Sequence, residues 1–369
     1  MKKLLTIAAL TASTFTAQAE VRINGFANLI GGITSSDESL YGYQDKISFS
    51  EESLFAIQVS GDINDKMTAT GQIVARADND YKAEFEWAYI TYAANDNLSI
   101  SAGRLRLPLF KYSASLDVGY SYHWVNAPKS VYDVPFNNIE GLRVDYSNYS
   151  GDWEYNLQFA AGNYYTETEE FSLEGEDVLA ITAEAQNEGF KVRAVAGRNK
   201  STFIVPALEP VFAGIEPFIS AELLQDLRHK DSTGIFLGLG LEYDAYDWFI
   251  SSEVTSIDSE SSFLQEDIAY YVTAGMRLGK FTPSLTYEAK ESDDTMKFAD
   301  QVSQLPASLQ GAIAVLGDVF ADDEETLTLG LRYDMDTNVA LKGDISKHSD
   351  NLNKSNDATL IRVGVNYVF

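Results

Sequence analysis

The chain ends in Leu360-Ile361-Arg362-Val363-Gly364-Val365-Asn366-Tyr367-Val368-Phe369, a stretch that alternates without a break and stops on an aromatic residue. In a β-strand, successive side chains point to opposite faces of the sheet. One face here carries large apolar side chains: Ile361, Val363, Val365, Tyr367 and Phe369. The other face is mostly small or polar. An apolar face towards lipid, a polar face towards water and aromatic residues at the interface are typical of a transmembrane β-barrel.

The N-terminus predicts the compartment. Lys2 and Lys3 precede an apolar run from Leu4 to Leu10, and Ala17-Gln18-Ala19 forms an A-x-A cleavage site. We therefore predict a signal peptide at residues 1–19, cleaved from a single barrel domain at residues 20–369. No later segment approaches the roughly 18 consecutive apolar residues that a membrane helix requires. A chain that spans the membrane without such helices must close into a barrel, because lipid leaves no other way to pair every backbone group.

Composition excludes several classes of protein. The absence of cysteine removes disulfide frameworks and thiolate metal sites. The 21 tyrosines and 20 phenylalanines suit strands with aromatic girdles. The formal charge is -28, which argues against nucleic acid as a partner and fits exposed loops that meet cations.

The same alternation recurs in sixteen segments, most of them about as long as a tilted membrane strand. They lie at about 21 to 33, 46 to 60, 67 to 77, 83 to 93, 97 to 107, 140 to 148, 152 to 163, 177 to 187, 189 to 199, 233 to 243, 247 to 257, 268 to 279, 281 to 291, 325 to 334, 338 to 348 and 358 to 369. Seven connections are short and carry turn residues, and the eight between them are mostly long. We predict an all-β, sixteen-stranded antiparallel transmembrane barrel with short periplasmic turns and long extracellular loops.

One alternative to the barrel is a soluble periplasmic all-β protein, whose strands would also alternate. That alternative does not explain large apolar side chains opposite polar ones in nearly every segment.

One stretch departs from the strand pattern. From Pro306 to Phe320 the apolar spacing is helical, which predicts a short helix packed on the rim of the barrel. A membrane-inserting or partner-binding role for that helix is the alternative.

If the barrel is hollow, the face opposite the lipid lines a water-filled lumen. Strand phase assigns nine of the eleven arginines to this face: Arg22, Arg76, Arg104, Arg106, Arg143, Arg193, Arg277, Arg332 and Arg362. An arginine at mid-depth on the lipid face would cost roughly 2 to 4 kcal/mol, so exclusion from lipid explains the phase by itself. A lumen wide enough to hydrate so many cations is nevertheless implied.

The third long loop, between Leu107 and Gly141, offers the counter-charges. It contains Asp117 and Asp133, ends beside Glu140 and is rich in aromatic residues. A loop of this length without evident secondary structure is usually functional. Its aromatic side chains favour packing against the inner wall of the barrel.

Three passages carry a resemblance to a known family. Gly103-Arg104-Leu105-Arg106-Leu107-Pro108, followed by Tyr112-Ser113 and Asp117-Val118-Gly119-Tyr120, resembles the junction of the fifth strand and third loop in Gram-negative porins. The first turn from Gly61 to Met67 and the terminal Asn366-Tyr367-Val368-Phe369 are similar as well. The acidic Pro-Glu-Phe loop tip of enteric porins is absent here, and Asp133-Val134-Pro135-Phe136 stands in its region.

The resemblance implies a homotrimeric channel whose third loop folds inward and narrows the pore. It implies a constriction of wall arginines (Arg76, Arg104, Arg106, Arg143, Arg362) facing loop acids (Asp117, Asp133, Glu140). Arg22, Arg193, Arg277 and Arg332 would be further lumen arginines, and Tyr367 and Phe369 the C-terminal assembly signal. Opposed charges across a narrow opening orient water and dipolar solutes, which disfavours apolar ones.

The expected function is passive diffusion of small hydrophilic solutes and ions across an outer membrane, with membrane lipid and lipopolysaccharide as partners. The alternatives are a channel selective for phosphate, carboxylates or sugars, and a non-conducting adhesin or receptor. The inward arginines favour anions and the overall acidity favours cations, so ion preference stays open. An enzyme is not expected, because His123, His229 and His348 lack metal-ligand spacing and no G-x-S-x-G motif occurs.

The outer loops hold clusters of acids. One contains Glu167, Glu169, Glu170, Glu174 and Glu176, and another contains Asp293, Asp294, Asp322, Asp323, Glu324 and Glu325. Clustered carboxylates are ligands for Ca²⁺ or Mg²⁺, which would bridge to lipopolysaccharide phosphates. A solvated acidic surface with no cofactor is the simpler interpretation, since no loop has EF-hand spacing.

Overall fold

The computed structural model describes residues 20–260, 262–293, 297–318 and 320–369. The predicted signal peptide and Asp294 of the second acidic cluster lie outside these ranges. Within them, no helix is both long and apolar enough to cross a membrane.

The described chain forms one closed barrel in which every neighbouring pair of strands is antiparallel and β1 pairs with both β2 and β16. The strands are β1 (Val21–Thr34), β2 (Leu54–Asn64), β3 (Met67–Arg76), β4 (Ala83–Asn95), β5 (Leu98–Arg106), β6 (Asn138–Ser150), β7 (Trp153–Glu167), β8 (Ser172–Asn187), β9 (Phe190–Ile204), β10 (Ser232–Asp244), β11 (Trp248–Ser259), β12 (Asp267–Met276), β13 (Phe281–Ser292), β14 (Asp323–Asp336), β15 (Val339–Asp350) and β16 (Ala358–Val368). The sixteen-stranded antiparallel fold predicted from the alternation is confirmed.

The two faces of β16 separate as its sequence indicates. Ile361 and Val363 are exposed on the outside of the barrel, whereas Arg362 and Asn366 are buried on the inside. The outer surface repeats this pattern on other strands, with exposed leucine, isoleucine and aromatic side chains such as Leu239, Leu285 and Phe159. An apolar outer band of this kind is what contact with hydrocarbon requires.

Closure depends on the chain terminus. The backbone of Phe369 exchanges two hydrogen bonds with Gly25, at 2.9 and 3.0 Å. Its ring lies so close to Gly25 that a Cβ at that position would come within 2.2 Å of the Phe369 ring and 2.7 Å of the Ala56 carbonyl oxygen. The last residue therefore seals the first strand to the last, and only glycine fits beneath it.

We expect Gly25→Val to prevent this closure. The added side chain overlaps both the terminal ring and the backbone of β2, and overpacking of this kind costs about 1 to 3 kcal/mol or more. Urea unfolding and heat-modifiable electrophoretic mobility of the refolded barrel would measure the loss. Gly61→Val is the matched control, because a Cβ at Gly61 meets nothing nearer than Val21 Cγ2 at 4.0 Å. Equal unfolding midpoints for Gly25→Val and the parent would contradict this role for the terminus.

The extracellular side differs in detail from the sequence reading. β2 begins at Leu54 rather than near residue 46, because residues 44–48 meet β1 through an isolated bridge and single hydrogen bonds instead of a continuous ladder. β7 and β8 extend beyond the expected membrane span as a hairpin that pairs as far as Glu167 and Ser172. Much of the acidic segment from residue 164 to 176 is therefore strand.

The described helices lie in the extracellular connections. They are α1 (Lys129–Tyr132), α2 (Glu209–Ile215), α3 (Ala221–Leu227), α4 (Ala299–Val302) and α5 (Ala307–Asp318). α5 falls inside the predicted helical stretch from Pro306 to Phe320, of which residue 319 is outside the described ranges. It packs with α2 and α3 in one apolar cluster that includes Phe212, Leu227 and Leu316, so the rim position is the one observed.

Candidate pore constriction

The connection between β5 and β6, residues 107–137, folds into the barrel, and we call it the third loop. Its aromatic side chains Phe110, Trp124 and Tyr132 are buried in one cluster with Phe236 of β10 and Tyr271 of β12. The Trp124 indole also donates to Thr286 of β13 at 2.9 Å. The apolar packing against the inner wall that the sequence predicts is thus present across several strands.

Cations on the wall hold the loop by its backbone carbonyls. Arg193 of β9 donates to the carbonyl oxygens of Pro108 and Leu109 at 2.6 and 2.8 Å. Arg332 of β14 donates to those of Tyr120 and Tyr122, both at 2.7 Å, and Lys342 of β15 donates to those of Gly119 and Trp124. Charged donors on well-separated strands therefore fix the path of the loop, since each satisfies carbonyl groups that secondary structure leaves unpaired.

Two buried wall carboxylates complete this anchoring. Glu253 of β11 accepts hydrogen bonds from the Tyr132 hydroxyl at 2.5 Å and the Lys111 backbone at 2.9 Å. Glu288 of β13 accepts from the backbone and hydroxyl of Ser130, both at 3.0 Å. Glu253 and Glu288 were not among the predicted site residues, because strand phase was used to assign arginines only. The same phase places a glutamate at an inward position of β11 and of β13, so the sequence did carry a signal for both.

At the opposite wall, Asp117 in the first half of the loop lies in a cluster of charges. The Asp117 carboxylate accepts from Arg76 of β3 at 2.8 Å and from Arg106 of β5 at 2.5 Å. Glu86 of β4 lies 2.9 Å from Arg76 and 3.3 Å from Arg106. The four side chains Arg76, Glu86, Arg106 and Asp117, which we call the latch, join the loop directly to the wall.

The latch forms because three local features converge. Arg76 and Arg106 are the last residues of their strands, so both side chains sit where the strands give way to loops. The Asn28 amide donates to the Asp117 carbonyl at 2.9 Å and holds the loop backbone against β1. Gly119 allows this approach, since a Cβ there would lie 2.3 Å from Asn366 Nδ2.

Burial and charge act in opposite directions on Asp117. Burial alone would raise the pKa of its carboxyl, but the neighbouring Arg106 and Arg76 outweigh that effect and lower the pKa below its ordinary value. Asp117 is therefore ionised at neutral pH. Arg76 is the latch residue most open to water, with 30% of its side chain exposed against 6% for Arg106.

Glu86 was not among the predicted site residues, and a bulge explains why. The pairing of β3 with β4 runs from Gln72–Trp87 directly to Ile73–Phe85, which leaves Glu86 as an extra residue. A bulge changes the face to which the following residues point. A strict period of two along β4 therefore cannot assign this side chain.

Arg104 and Glu140 lie apart from the latch. They are cross-strand partners on β5 and β6, two positions from the pair Ala102–Leu142. Leu142 is exposed on the outside of the barrel, so this register places Arg104 and Glu140 on the outer face and not on the lumen face that strand phase assigns to Arg104. Their charged atoms are 3.6 Å apart, and the Glu140 side chain is 75% exposed. Arg104 Nε donates to the Phe85 carbonyl at 3.0 Å, in the gap where β4 and β5 separate.

The remaining predicted site residues occupy four other environments. Asp133 follows α1 on the extracellular side of the loop, 67% exposed and 3.9 Å from Lys129. Arg143 pairs with Asp145 on its own strand at 2.9 Å. Arg362 is buried between Asp344 of β15 and Glu52 of the first loop, so it anchors that loop through an acid that the sequence reading missed. Arg22 and Arg277 form paired hydrogen bonds with Asp62 and Asp244 at the periplasmic end.

The third loop separates two polar cavities. The outer cavity, about 360 Å³, is bordered by the latch and by the first and second loops. The inner cavity, about 540 Å³, lies towards the periplasmic turns and is bordered by Lys111, Lys191, Glu242, Asp244, Arg277, Arg332 and Asp334. The outer cavity carries six acidic and four basic side chains: Glu51, Glu52, Asp78, Glu86, Asp117 and Asp133 against Arg76, Arg104, Arg106 and Lys129.

The closed sixteen-stranded barrel, which here holds its third loop inside the lumen, is an architecture found in known proteins. A family model described as Gram-negative porin matches residues 5–369. The chain belongs to the Gram-negative porin family. This porin is therefore an outer-membrane channel for passive diffusion of small solutes. The family consists of channels rather than enzymes.

Solved structures support the fold of this porin. Salmonella typhi OmpF in complex with daunomycin is 14% identical, with a TM-score of 0.59 over 95% of this chain and 98% of that one. The anion-selective porin from Comamonas acidovorans is 11% identical, with a TM-score of 0.57 over 95% and 100%. OmpT of Vibrio cholerae in its trimer form is 12% identical, with a TM-score of 0.55 over 95% and 99%. No curated protein sequence matches the chain significantly.

Proposed function

We propose that the latch is the constriction of this porin and that small hydrophilic ions and solutes pass beside it, between the outer and inner cavities. The observation that carries this proposal is the direct contact of Asp117 with Arg76 and Arg106, where charges of both signs meet at a junction of loop and wall. Opposed charges at such a point orient water and dipolar solutes. Arg104, Arg143, Arg362, Asp133 and Glu140 act outside this junction.

The charge balance gives a weak preference for cations. The four latch residues sum to zero, whereas the outer cavity has a net charge of -2 from its six acids and four bases. A net negative vestibule raises the local concentration of cations and lowers that of anions. The preference is modest because physiological salt screens charges beyond about 8 Å.

The channel acts as a homotrimer. OmpT of Vibrio cholerae, which shares the fold, has a trimer form. Tyr367 and Phe369 are the C-terminal assembly signal, in keeping with the stacking of Phe369 on Phe55 and Tyr367 at ring distances of 6.2 and 5.5 Å.

The outer surface suits lipid and lipopolysaccharide. Arg198 of β9 is exposed and pairs across the sheet with Leu179 and Ile235, next to the apolar band. A cation at this height can bind phosphate groups of the outer leaflet.

Binding of Ca²⁺ or Mg²⁺ by the acidic loops is a further prediction. Among the described residues, no three histidine or carboxylate side chains are grouped to hold a metal ion.

Current through single channels in planar bilayers tests the proposed function. We expect ohmic conductance in KCl, insertion in steps of three, and a K⁺ to Cl⁻ permeability ratio of roughly two to five, the order that one or two net charges within a Debye length produce. Saturation or block by phosphate, a carboxylate or a sugar would favour the substrate-selective alternative. A protein that inserts without conducting would favour the receptor alternative.

A further inference from the structure

A second kind of surface lies beside the outer cavity. Above the third loop, several inward positions of β8 to β10 carry buried apolar residues, including Val178, Ala180 and Phe236. The corresponding positions of β13 to β16 are polar, as at Thr286, Ser346 and other buried hydroxyl-bearing residues. The lumen therefore has one polar side and one apolar side.

The apolar side encloses a cavity of about 220 Å³. Its floor is the third loop at Leu107, Leu109 and Phe136, and its roof includes Phe203 and Leu264. Those two roof residues also pack against the cluster of extracellular helices α2, α3 and α5. The helices thus cover the cavity, and a cavity of this size accommodates one ring or a short branched chain.

Polar groups that border this apolar cavity are already paired. The Asn199 amide donates to the Tyr164 hydroxyl at 2.7 Å, and His229 lies between Ser201 and Ser262 at 2.9 and 2.6 Å. Burial, reinforced by Lys297, lowers the pKa of His229 to about 4, so its ring is uncharged at neutral pH. Water needs two to four polar partners to be held in a cavity, which this wall does not offer freely.

Four charged residues border the apolar cavity: Asp133, Arg198, Asp267 and Lys290. Asp267 and Lys290 are paired with each other at 3.4 Å, and Arg198 lies on the outer face, which leaves Asp133 as the charge at the entrance. Asp133, with Val134 and Pro135, borders both the apolar cavity and the outer cavity. Its side chain is 67% exposed, and its partner Lys129 is 3.9 Å away and is equally distant from Glu52. The Asp133 carboxylate is therefore accessible to a cation whose apolar part lies in the cavity.

We propose that the apolar cavity is a binding site for small primary amines with an aromatic or branched aliphatic body, the amine lying at Asp133. The body fills the space between the third loop and the helical cover, and the amine stays in the polar outer cavity. This is the usual composition of a ligand site, a mostly apolar wall with a few placed polar groups. The site gives the porin a preferred solute class in addition to general diffusion, and in that respect it rests on the proposed channel function.

Equilibrium binding of 2-phenylethylamine to the refolded full-length barrel in detergent, measured by calorimetry, tests this proposal. Protein-free micelles correct for partitioning. We expect saturable binding of 2-phenylethylamine. 2-Phenylethanol and phenylacetate should bind at least about tenfold more weakly, because the alcohol lacks the charge-assisted hydrogen bond to Asp133 and the carboxylate is repelled by it. Because no current is measured, failure of binding is distinguishable from failure of conduction.

Two variants locate the ligand. A Cβ added at Gly197 would meet Phe236 Cβ at 3.5 Å and Leu109 Cδ2 at 3.7 Å, ordinary contact distances, so Gly197→Leu fills the cavity. We expect it to weaken binding at least about tenfold, since the buried ring loses its site. Asp133→Asn should weaken phenylethylamine about three- to tenfold and leave phenylethanol unchanged.

Gly343→Leu is the matched control, because a Cβ there meets Arg362 O at 3.5 Å and the outward-facing Val363 at 3.7 Å. Its binding should equal that of the parent. Uptake by the parent no greater than that of empty micelles would overturn the proposal. Binding by Gly197→Leu as tight as that of the parent would also overturn it.

Discussion

Asp117→Asn is expected to shift the selectivity of the channel towards anions by about fivefold in the permeability ratio. The latch loses one of its two negative charges and becomes net positive, while Arg76 and Arg106 remain. In water, a unit charge about 8 Å from a passing ion changes the energy of that ion by about 0.5 kcal/mol, or roughly twofold for each sign. Reversal potentials in a KCl gradient across a planar bilayer measure the shift.

The same change should loosen the third loop. An amide cannot accept from two guanidinium groups as a carboxylate does, and a buried donor left without a partner costs about 1 to 3 kcal/mol. Larger current fluctuations are therefore expected alongside the altered selectivity. Asp133→Asn is the control on the same loop, since Asp133 is mostly exposed and 3.9 Å from its nearest cation. Equal shifts in both variants would show that the loop acids act only through their summed charge.

The pH dependence of the parent follows from the position of Asp117. Its pKa is lowered in the folded protein from an ordinary value of 3.8, so the carboxylate contributes stability above that value. This contribution is lost as the pH falls through the lowered pKa of the folded state. Between pH 7 and about 4, the selectivity due to Asp117 should stay constant. A change in the difference between parent and Asp117→Asn near pH 6 would contradict the assignment.

The fold could be predicted because a membrane strand has only two environments. Each residue of β16 faces either lipid or lumen, so Val363 and Arg362 report their faces directly. Assignment by alternation failed where the chain leaves the strands and faces neither lipid nor lumen in a regular pattern. Ile47 and Phe49 alternate like strand residues, but the chain there belongs to the first loop. The helices α2 and α3 were missed because Pro210 and Pro217 interrupt any long apolar period.

The candidate site was predictable only in part. The sequence indicates which loop enters the lumen and which acids it carries, and Asp117 with Arg76 and Arg106 are among the predicted residues. The sequence does not give the path of the loop, because that path is set by contacts between residues far apart in sequence, such as Lys342 with Gly119. Lysines and glutamates serve as anchors here, so an inventory of arginines identifies only half of the wall. Assigning Glu86 to the site required knowledge of the bulge in β4.

Anchoring and selectivity use the same physical interactions in different surroundings. Arg193 and Arg362 are buried and fully occupied by partners, so each fixes a loop and presents little charge to solvent. Arg76 is partly open to water beside the outer cavity. The number of arginines in the lumen is therefore a poor guide to ion preference. The charges that decide it are those of the latch, which borders the outer cavity, whereas Arg193 and Arg362 border neither cavity.

Arg106→Ser is expected to shift selectivity towards cations by about fivefold, whereas Arg104→Ser, which removes a base of the outer cavity but none of the latch, should shift it by no more than about twofold. Sequence phase treats these two arginines alike, since they are two residues apart on β5. Their surroundings differ: Arg106 is 2.5 Å from Asp117 within the latch, while Arg104 pairs with the exposed Glu140 beside the gap between β4 and β5. Removing Arg106 leaves two latch carboxylates with one arginine.

Arg106→Lys separates the effect of charge from that of folding. It keeps the positive charge but not the reach of Arg106 Nη2, the nitrogen that contacts both Asp117 and Glu86. Its selectivity should stay within about twofold of the parent even if its unfolding midpoint falls. Reversal potentials and urea unfolding of the three variants give both quantities. A shift in Arg104→Ser as large as that in Arg106→Ser would place Arg104 in the constriction, and the narrowest point would then include the gap between β4 and β5.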